Sequence, residues 1–344
     1  MKYSGIGGQA VMGGVMMKNK DFYAVAVRKS DGEIVVDKKK VKTQAAVEAV
    51  QKIPIVRGVV NFVDSLYLGI GSLMYSSTFF EEEEEDRKKK EEDPETAKKK
   101  EHAMMGTTLF ISLLAAILIF MVLPYYLSTI FSKWISSGIV LALIEGVIRL
   151  LIFFGYILAI SRMKDIQRVF MYHGAEHKCI NCIEHGLDLN VENVRKSTRL
   201  HKRCGTSFLL FVVLVSIVLF AFIQVDSRAL RILLRLVLIP VVAGIAYELI
   251  RLAGRSDNPV VNLLSKPGLA MQHLTTKEPD DSMIEVGIAS VEAVFDWRPY
   301  VREVRGEKAD APAPETPAEE AAAGEAADAS VKETEGGMNG EEPV

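Results

Sequence analysis

Residues 172–178, with the sequence YHGAEHK, combine side chains that bind metal ions with one that can activate water. His173 and His177 are four residues apart, so on a helix they share a face and can hold a single ion. With Glu176 they form an H-x-x-E-H pattern, which is typical of the inverzincins, where the histidines bind zinc and the glutamate is the general base. The pattern predicts a site for zinc or another divalent transition metal, with Glu176 as the catalytic residue of a hydrolase.

A site of this kind needs a third protein ligand from elsewhere in the chain. Glu248 is one candidate, because an acidic residue near the end of an apolar segment is by default a functional-site hypothesis. A salt bridge from Glu248 to Arg251 or Arg255 is an equally good interpretation. His201 and Cys204 are the other candidates to complete the site.

The cysteines predict a second, competing kind of metal site. Cys179 and Cys182 form a C-x-x-C pair, and His201 and Cys204 form an H-x-x-C pair further along the chain. Two such pairs resemble a closed Cys₃His site, in which zinc would only stabilise the loop. A C-x-x-C pair is also used in redox chemistry. All three cysteines and four of the six histidines lie within 173–204, and this concentration favours metal binding over a chance pattern.

Two further features surround this cluster. Basic residues are concentrated just before and within the second pair, beside a predicted membrane segment: Arg195, Lys196, Arg199, Lys202 and Arg203. Their simplest role is contact with anionic lipid, and the alternative is binding of a phosphate-bearing substrate, for which Arg203 is the candidate site residue. The glycine-rich segment 5–14, with Gln9, is predicted to fold over the site as a lid. The net charge of −3 gives no reason to expect a nucleic-acid partner.

Four apolar stretches are each long enough to cross about 30 Å of hydrocarbon, so the lipid bilayer is a predicted partner. They are residues 106–123, 135–160, 207–225 and 232–252. Glu145 and Arg149 interrupt the second stretch. Their spacing of four residues predicts an ion pair on one helix face.

Positive charge predicts the orientation of these segments. Residues 161–206 hold nine lysines and arginines, whereas residues 124–134, taken as the opposite loop, hold only Lys133. Because loops rich in lysine and arginine stay in the cytosol, 161–206 is predicted to be cytosolic, with both termini on the same side. The chain is therefore predicted to be a multi-pass protein of the cell (inner or plasma) membrane.

The N-terminal region, residues 1–52, is predicted to be cytosolic and β-rich. Residues 22–28 and 33–37 flank Ser-Asp-Gly, which predicts a hairpin. Residues 43–51 predict a short helix. Together with the membrane helices, this region makes the predicted fold an α+β membrane protein.

Two unusual segments follow. Residues 53–80 are apolar but contain Arg57, Asn61 and Asp64, which would be costly to bury in a bilayer. We therefore interpret the segment as interfacial or re-entrant and amphipathic, with a spanning helix as the weaker option. Residues 81–104 form a charged linker of low complexity, predicted to be solvated and partly helical or disordered.

The remaining boundaries follow from composition. Residues 105–252 form the predicted four-helix transmembrane domain, with the cytosolic metal-type loop 161–206. Residues 253–304 form a second cytosolic segment, which begins irregular because of its prolines and continues as a helix capped near Asp280. That helix has one apolar face, made of Ile284, Ile288, Val291 and Phe295. Residues 305–344 are rich in Ala, Glu, Pro and Gly and are predicted to be a disordered tail.

Five segments in order resemble the YqhQ-like family of bacterial membrane proteins, a family of unassigned function often catalogued as predicted metal-dependent enzymes. They are residues 7–18 (GGQAVMGGVMMK), 172–178, 191–208, 243–259 and 274–286, and the resemblance runs from about residue 4 to 296. It implies a metal site but no particular reaction. The chain departs from the expected pattern at Gly13, where a glutamate is usual, and at Lys202, where a proline is common.

These observations favour a cytosol-facing integral membrane metalloprotein that acts as a zinc hydrolase. The alternative is a non-enzymatic assembly factor or scaffold with a structural zinc loop. A transporter is disfavoured, since the sequence has no paired broken helices around a substrate path.

Overall fold

The computed structural model describes residues 3–41, 52–85, 94–223, 225, 227–256 and 258–307. The predicted helix 43–51 and nearly all of the predicted tail lie outside these residues.

The strands are β1 (Ile6–Val11), β2 (Gly14–Asn19), β3 (Phe22–Arg28) and β4 (Ile34–Lys40). The helices are α1 (Val56–Glu85), α2 (Pro94–Ile117), α3 (Leu123–Thr129), α4 (Gly138–Ile160), α5 (Lys164–Glu184), α6 (Val191–Lys196), α7 (Gly205–Ala221), α8 (Arg228–Val237), α9 (Ile239–Arg255), α10 (Pro259–Thr275), α11 (Asp281–Val294) and α12 (Trp297–Arg305).

The four strands form one antiparallel sheet in the order β1-β2-β3-β4. The predicted hairpin is confirmed by the pairing of β3 with β4, in which Arg28 is opposite Ile34. Successive side chains of a strand point to opposite faces, so neighbouring Met16 and Met17 enter different cores. Met17 packs in a core with α5 and α11, and Met16 packs in a second core against aromatic residues of α1. The sheet therefore carries helices on both faces.

Helix α1 covers the segment predicted to be interfacial or re-entrant. It is a single helix of 30 residues. Two of the three polar residues that argued against a span are paired with α9: Arg57 donates from Nε and Nη2 to the two carboxylate oxygens of Glu248 at 2.6 and 2.5 Å, and Asn61 donates to the Tyr247 hydroxyl at 2.9 Å. These residues therefore serve as contacts between α1 and α9.

Two helical segments among the described residues are long and apolar enough to cross a membrane, Gly106–Lys133 and Gly138–Ile160. A third exists if α8 and α9, bent by 43° relative to each other, count as one span. The bend falls where Pro240, lacking an N–H, begins α9. Helix α7 is apolar but has only 17 residues. The four predicted spans are therefore not confirmed, since two or three segments of the described residues meet these criteria. The predicted loop 124–134 is instead helical as far as Lys133, because Pro124 falls in the first turn of α3.

A buried charge cluster joins the apolar helices. The predicted pair is confirmed, since Arg149 Nη2 donates to Glu145 Oε1 at 2.7 Å. The same oxygen accepts from Arg235 Nη1 of α8 at 2.6 Å. Arg149 also donates to the Ser216 hydroxyl of α7 at 3.1 Å and to the carbonyl oxygen of Phe120 at 2.9 Å. One pair of side chains on α4 therefore connects to three other segments.

The segments predicted to lie outside the spans are mostly helical. Residues 161–206, predicted as a loop, contain α5 and α6. The predicted irregular start of 253–304 is wrong, because Pro259 begins α10 at a position that needs no N–H, and Pro267 is accommodated inside that helix. The predicted helix beyond it is confirmed as α11, where the Asp280 side chain accepts from Met283 N at 2.9 Å.

Gly13 lies in the tight turn between β1 and β2. Its φ is +62°, and a Cβ there would lie 2.2 Å from Cζ of Phe80. A glutamate at this position would therefore be strained and would displace the Phe80 ring. The departure from the expected pattern thus concerns a turn packed on α1, against the ring of Phe80.

Gly174 sets the distance between α5 and the chain that follows α10. A Cβ on Gly174 would lie 2.0 Å from the carbonyl oxygen of Lys277. This approach allows Lys277 N to donate to the carbonyl of Phe170 at 2.8 Å. The close contact fixes the histidine-bearing helix against the end of α10.

We expect Gly174→Ala to lower the thermal unfolding midpoint of the detergent-purified protein, because overpacking against a backbone atom costs about 1–3 kcal/mol. Gly155→Ala is the matched control, since a Cβ on that helical glycine meets nothing within 4 Å. Alanine is the better helix former, so the control should unfold at the same or a higher temperature. Equal midpoints for the two variants would contradict the close contact.

Candidate metal centre

Three side chains converge between α5 and the start of α7. The ligand atoms of His173, His177 and Cys204 all lie within 4.8 Å of one another. The two imidazole rings are adjacent, with centroids 4.4 Å apart, and Cys204 Sγ is 3.2 Å from His173 Nε2. Ligands at tetrahedral zinc distances are separated by roughly 3.3–3.8 Å. The donor set and its spacing therefore suit one transition-metal ion.

Backbone carbonyls orient both rings. His173 Nδ1 donates to the carbonyl of Thr275 at 2.8 Å, and His177 Nδ1 donates to the carbonyl of Arg199 at 2.6 Å. A carbonyl oxygen only accepts, so each Nδ1 carries hydrogen and each Nε2 can present a lone pair to a metal. Outer hydrogen bonds of this kind are the usual support of metal-binding histidines.

Cys204 begins α7 as its N-cap residue. Its sulfur accepts from Thr206 N at 3.4 Å and lies 3.1 Å from the Thr206 hydroxyl. Burial opposes the charged thiolate, but the imidazoles of His173 and His177 outweigh it and hold the pKa of the Cys204 thiol well below its usual value. The positive end of the helix dipole also favours a thiolate. These groups therefore favour the thiolate, which is the form that binds metal.

In the absence of a metal, His173 and Cys204 favour each other's charged forms, the imidazolium and the thiolate. Burial disfavours the imidazolium, yet the nearby Cys204 sulfur outweighs it and raises the pKa of His173 to about 9. An imidazole must lose a proton from the nitrogen that binds a metal. An ion at this position would take over the role of that proton in balancing the thiolate.

Glu176 is the buried acid of the cluster, only 5% exposed. The backbone N–H of Gly8 in β1 donates to its carboxylate, but Oε2 has no hydrogen-bond partner among the described residues. Burial raises the pKa of Glu176, and the two histidines partly offset that effect. A buried acceptor without a partner is the place where a water or ligand is expected, which adds to the fit of the site for a metal.

A family comparison accompanies this geometry. The family model described as a protein of unknown function, DUF1385, matches residues 53–297. The chain belongs to this family. It is also similar to the uncharacterized protein YqhQ of Bacillus subtilis (strain 168), with 37% identity over 286 residues, 83% of this chain and 90% of the relative. The YqhQ-like resemblance is thereby confirmed. No solved structure matches the chain significantly.

Several predicted ligands of this DUF1385 protein lie apart from the cluster. The carboxylate of Glu248 is held by Arg57 and lies 3.7 Å from Arg251, in agreement with its salt-bridge interpretation. Cys179 and Cys182 are buried in the core between α5, α11 and the sheet. His201 lies near His177, with ring centroids 5.6 Å apart, but its Nε2 faces Glu184. The closed Cys₃His arrangement is therefore not assembled.

The predicted lid, segment 5–14, is β1 with its flanking turns, and it lies directly on α5. Gly8 contacts Glu176, and a Cβ on Gly8 would lie 3.0 Å from Cγ of that residue. Gln9 reaches the other way, and its Oε1 would lie 2.3 Å from a Cβ on Gly69 of α1. The segment therefore links the site to α1.

Glu184 was missed by the sequence analysis. Its carboxylate pairs with Arg203 and accepts from the backbone N–H and hydroxyl of Ser4 at 3.0 and 2.6 Å. Burial alone would raise its pKa, but the hydrogen bond with His201 and the charge of Arg203 hold the pKa at about 2. Glu184 lies seven residues after His177, so helical spacing alone could have placed it on the same face. It anchors Arg203, one residue before Cys204.

We expect Glu184→Gln to destabilise the DUF1385 protein at pH 7 and to matter less in acid. The pKa of Glu184 is lowered by folding from an ordinary value of 4.5 to about 2. Its ionised form therefore adds stability above about pH 4.5, and this is lost as the pH falls towards 2. The difference in thermal midpoint between wild type and variant should narrow between pH 5 and pH 3.

Glu192→Gln serves as the control for that comparison. Glu192 is an exposed residue paired with Lys196 at 2.7 Å, and such surface pairs contribute little. Its variant should stay close to wild type at every pH. A pH-independent gap for Glu184→Gln would show that the carboxylate is not ionised in the folded protein.

Proposed function

We propose that this protein is a metal-dependent hydrolase, using zinc or another divalent transition metal. The observation that carries the proposal is the convergence of His173, His177 and Cys204 within 4.8 Å, beside a buried Glu176 carboxylate oxygen without a partner. Three protein ligands leave a fourth position open, as is usual for catalytic zinc. The third ligand here is the thiolate of Cys204, whereas the usual H-x-x-E-H site has a carboxylate as its third ligand.

The residues divide the work in a hydrolysis. A bound divalent metal would supply Lewis acidity and make a water acidic near neutral pH. Glu176 would accept the proton of the attacking water and pass it to the leaving group, so that the hydroxyl joins one product and the proton the other. Its burial suits this role, because a raised pKa brings a carboxylate closer to neutral pH. Arg199 and Thr275 hold the two imidazoles through their carbonyls.

A scaffold with a structural zinc loop remains the alternative function. It requires a closed site with four protein ligands. The placement of Cys179 and Cys182 in the apolar core, away from Cys204, favours the open site. The two functions differ in whether Glu176 matters once metal is bound.

We also propose that the cluster faces the cytosol. The support is the charge distribution at the two ends of α4, with nine lysines and arginines in 161–206 against Lys133 alone in 133–137, between the two candidate spans. Helix α4, which has the length and hydropathy expected of a span, ends directly before residues 161–206. With an even number of spans, such as Gly106–Lys133 and Gly138–Ile160 alone, both termini would then be cytosolic.

Metal analysis of the purified protein tests the site directly. We expect about one equivalent of a transition metal, and Cys204→Ala should weaken metal binding by more than about 100-fold, since even changes to outer partners cost 10–100-fold. Cys182→Ala is the matched control, because that thiol is buried without joining the cluster, and it should keep its metal. A protein that binds no zinc when it is supplied would contradict the metal site.

Glu176→Gln separates a hydrolase from a scaffold in the same experiment. The amide cannot take a proton from water, so metal-dependent hydrolysis of 4-nitrophenyl carboxylic esters or of 4-nitrophenyl phosphodiesters should fall by at least about 100-fold. The metal should be retained, because Glu176 is not one of its ligands. Full hydrolysis by Glu176→Gln would rule out the general-base role.

Introduced cysteines test the orientation. Lys133 and Lys164 are both exposed and flank the two ends of α4, while the native cysteines are buried. In intact cells, a membrane-impermeant maleimide should label Lys133→Cys at once and Lys164→Cys only after permeabilisation. The wild-type chain is the control. The opposite labelling order would overturn the proposed topology and leave the chemistry of the site untouched.

A further inference from the structure

Cys204 lines one of two adjacent cavities. The first, with a volume of about 460 Å³, lies between α1, α7 and α9 and includes Cys204 and Gly205 in its lining. The second, of about 610 Å³, lies between the sheet, α1 and α9. Gln9, Asn61 and Tyr247 line both, so the two spaces are adjacent. Each has the size of a pocket for a small molecule.

The first cavity is an apolar groove, which we call the α1–α7 groove. Its floor includes the rings of Phe62 and Phe208, whose centroids are 5.3 Å apart. Leu66, Leu73 and Leu209 also line it and are 52, 42 and 44% exposed. These leucines make its mouth apolar, which suits a hydrocarbon chain rather than a water-soluble group.

The second cavity has the opposite chemistry, and we call it the basic cavity. Its lining contains five basic side chains against two acidic ones, Asp21 and Asp64. The basic residues are Lys18, Lys20, Arg203, Arg251 and Arg255. Arg203 is paired with Glu184 and Arg251 with Glu248, but the lining as a whole retains an excess of positive charge. An anionic group is the complement of such a surface.

We infer that the two cavities together bind an anionic membrane lipid, with an acyl chain in the α1–α7 groove and the headgroup in the basic cavity. This inference rests on the proposed function, for which it names the substrate class. Cys204 lines the α1–α7 groove and the adjacent Arg203 lines the basic cavity, so a ligand that spans both would pass beside the Cys204 edge of the metal cluster. The apolar mouth and the adjoining apolar helix α7 allow entry from a bilayer.

Binding to three probes tests the inference. Purified Glu176→Gln protein, which retains the site but should not turn over its ligand, is titrated in detergent with dioctanoyl phosphatidylglycerol, dioctanoyl phosphatidylcholine and glycerol 3-phosphate. We expect the anionic lipid to bind at least tenfold more tightly than the zwitterionic one with the same chains. Glycerol 3-phosphate, which lacks the chains, should bind at least 100-fold more weakly than the anionic lipid.

Charge removal tests the headgroup position. The double variant Lys18→Gln/Arg255→Gln should lose about tenfold in affinity for phosphatidylglycerol and change less than twofold for phosphatidylcholine, as each basic residue near an anionic lipid contributes about a few-fold. The control Lys164→Gln/Lys266→Gln removes two exposed lysines outside both cavities and should change neither. Equal affinity of the parent Glu176→Gln protein for the two lipids would overturn the role of the basic cavity.

Filling the groove tests the chain position. A Cβ on Gly205 meets nothing within 4 Å, and the longer side chain of Gly205→Leu should fill part of the groove and weaken binding of both lipids at least fivefold. Gly155→Leu, at an equally open helical glycine outside the groove, should have no effect. Leu66→Gln, at an exposed position of the mouth, should weaken both lipids about threefold and does not touch the metal ligands. Unchanged lipid affinity in both groove variants would overturn the inference.

The metal content of every variant is measured alongside. Metal bound without lipid selectivity would leave the hydrolase proposal standing and reject the lipid. Lipid selectivity in a protein that binds no metal would support the lipid site and reject the hydrolase proposal.

Discussion

Two hydrogen bonds to backbone carbonyls, from His173 to Thr275 and from His177 to Arg199, are the constraint on which the site depends. They connect α5 to the end of α10 and to the chain between α6 and α7, so three separate segments must be in place before either imidazole is oriented. Gln272 secures two of these segments to each other, since its side chain accepts from His201 N at 2.8 Å and donates to His201 O at 2.7 Å. The contact made possible by Gly174 brings the third segment close enough. A helix carrying H-x-x-E-H by itself would have freely rotating rings.

Much of this site could be predicted from local sequence, because helical spacing alone places His173, Glu176 and His177 together. The same spacing bears on the C-x-x-C pair: at about 100° per residue, Cys182 points about 180° away from His173. Helical phase could therefore have assigned Cys182 to the core. Glu248 could not have been assigned in this way, because its partner Arg57 lies 191 residues away and only the fold brings them together.

The helical architecture was harder to predict than the sheet. The hairpin of β3 and β4 depends on a local turn and alternating side chains. The extents of the apolar helices depend on how prolines are placed. Pro124 and Pro267 lie within helical segments, whereas Pro240 coincides with the 43° bend between α8 and α9. A hydropathy average does not register these differences. It counts a bent pair of helices as one straight span, and it gives no sign that a helix continues through a tolerated proline.

The Glu145 cluster has a consequence for biogenesis. Its carboxylate is shared by Arg149 on its own helix and Arg235 on α8. Helix α4 has the length and hydropathy of a span, and its acid and base, one turn apart, would neutralise each other during insertion into a bilayer. Helix α8 has no such internal partner for Arg235, and a lone guanidinium in hydrocarbon is costly. For α8 to enter a bilayer at low cost, Glu145 of α4 must already be in place to pair with Arg235. Synthesis from the N-terminus supplies that order, whereas a circular permutant that makes α8 first would not.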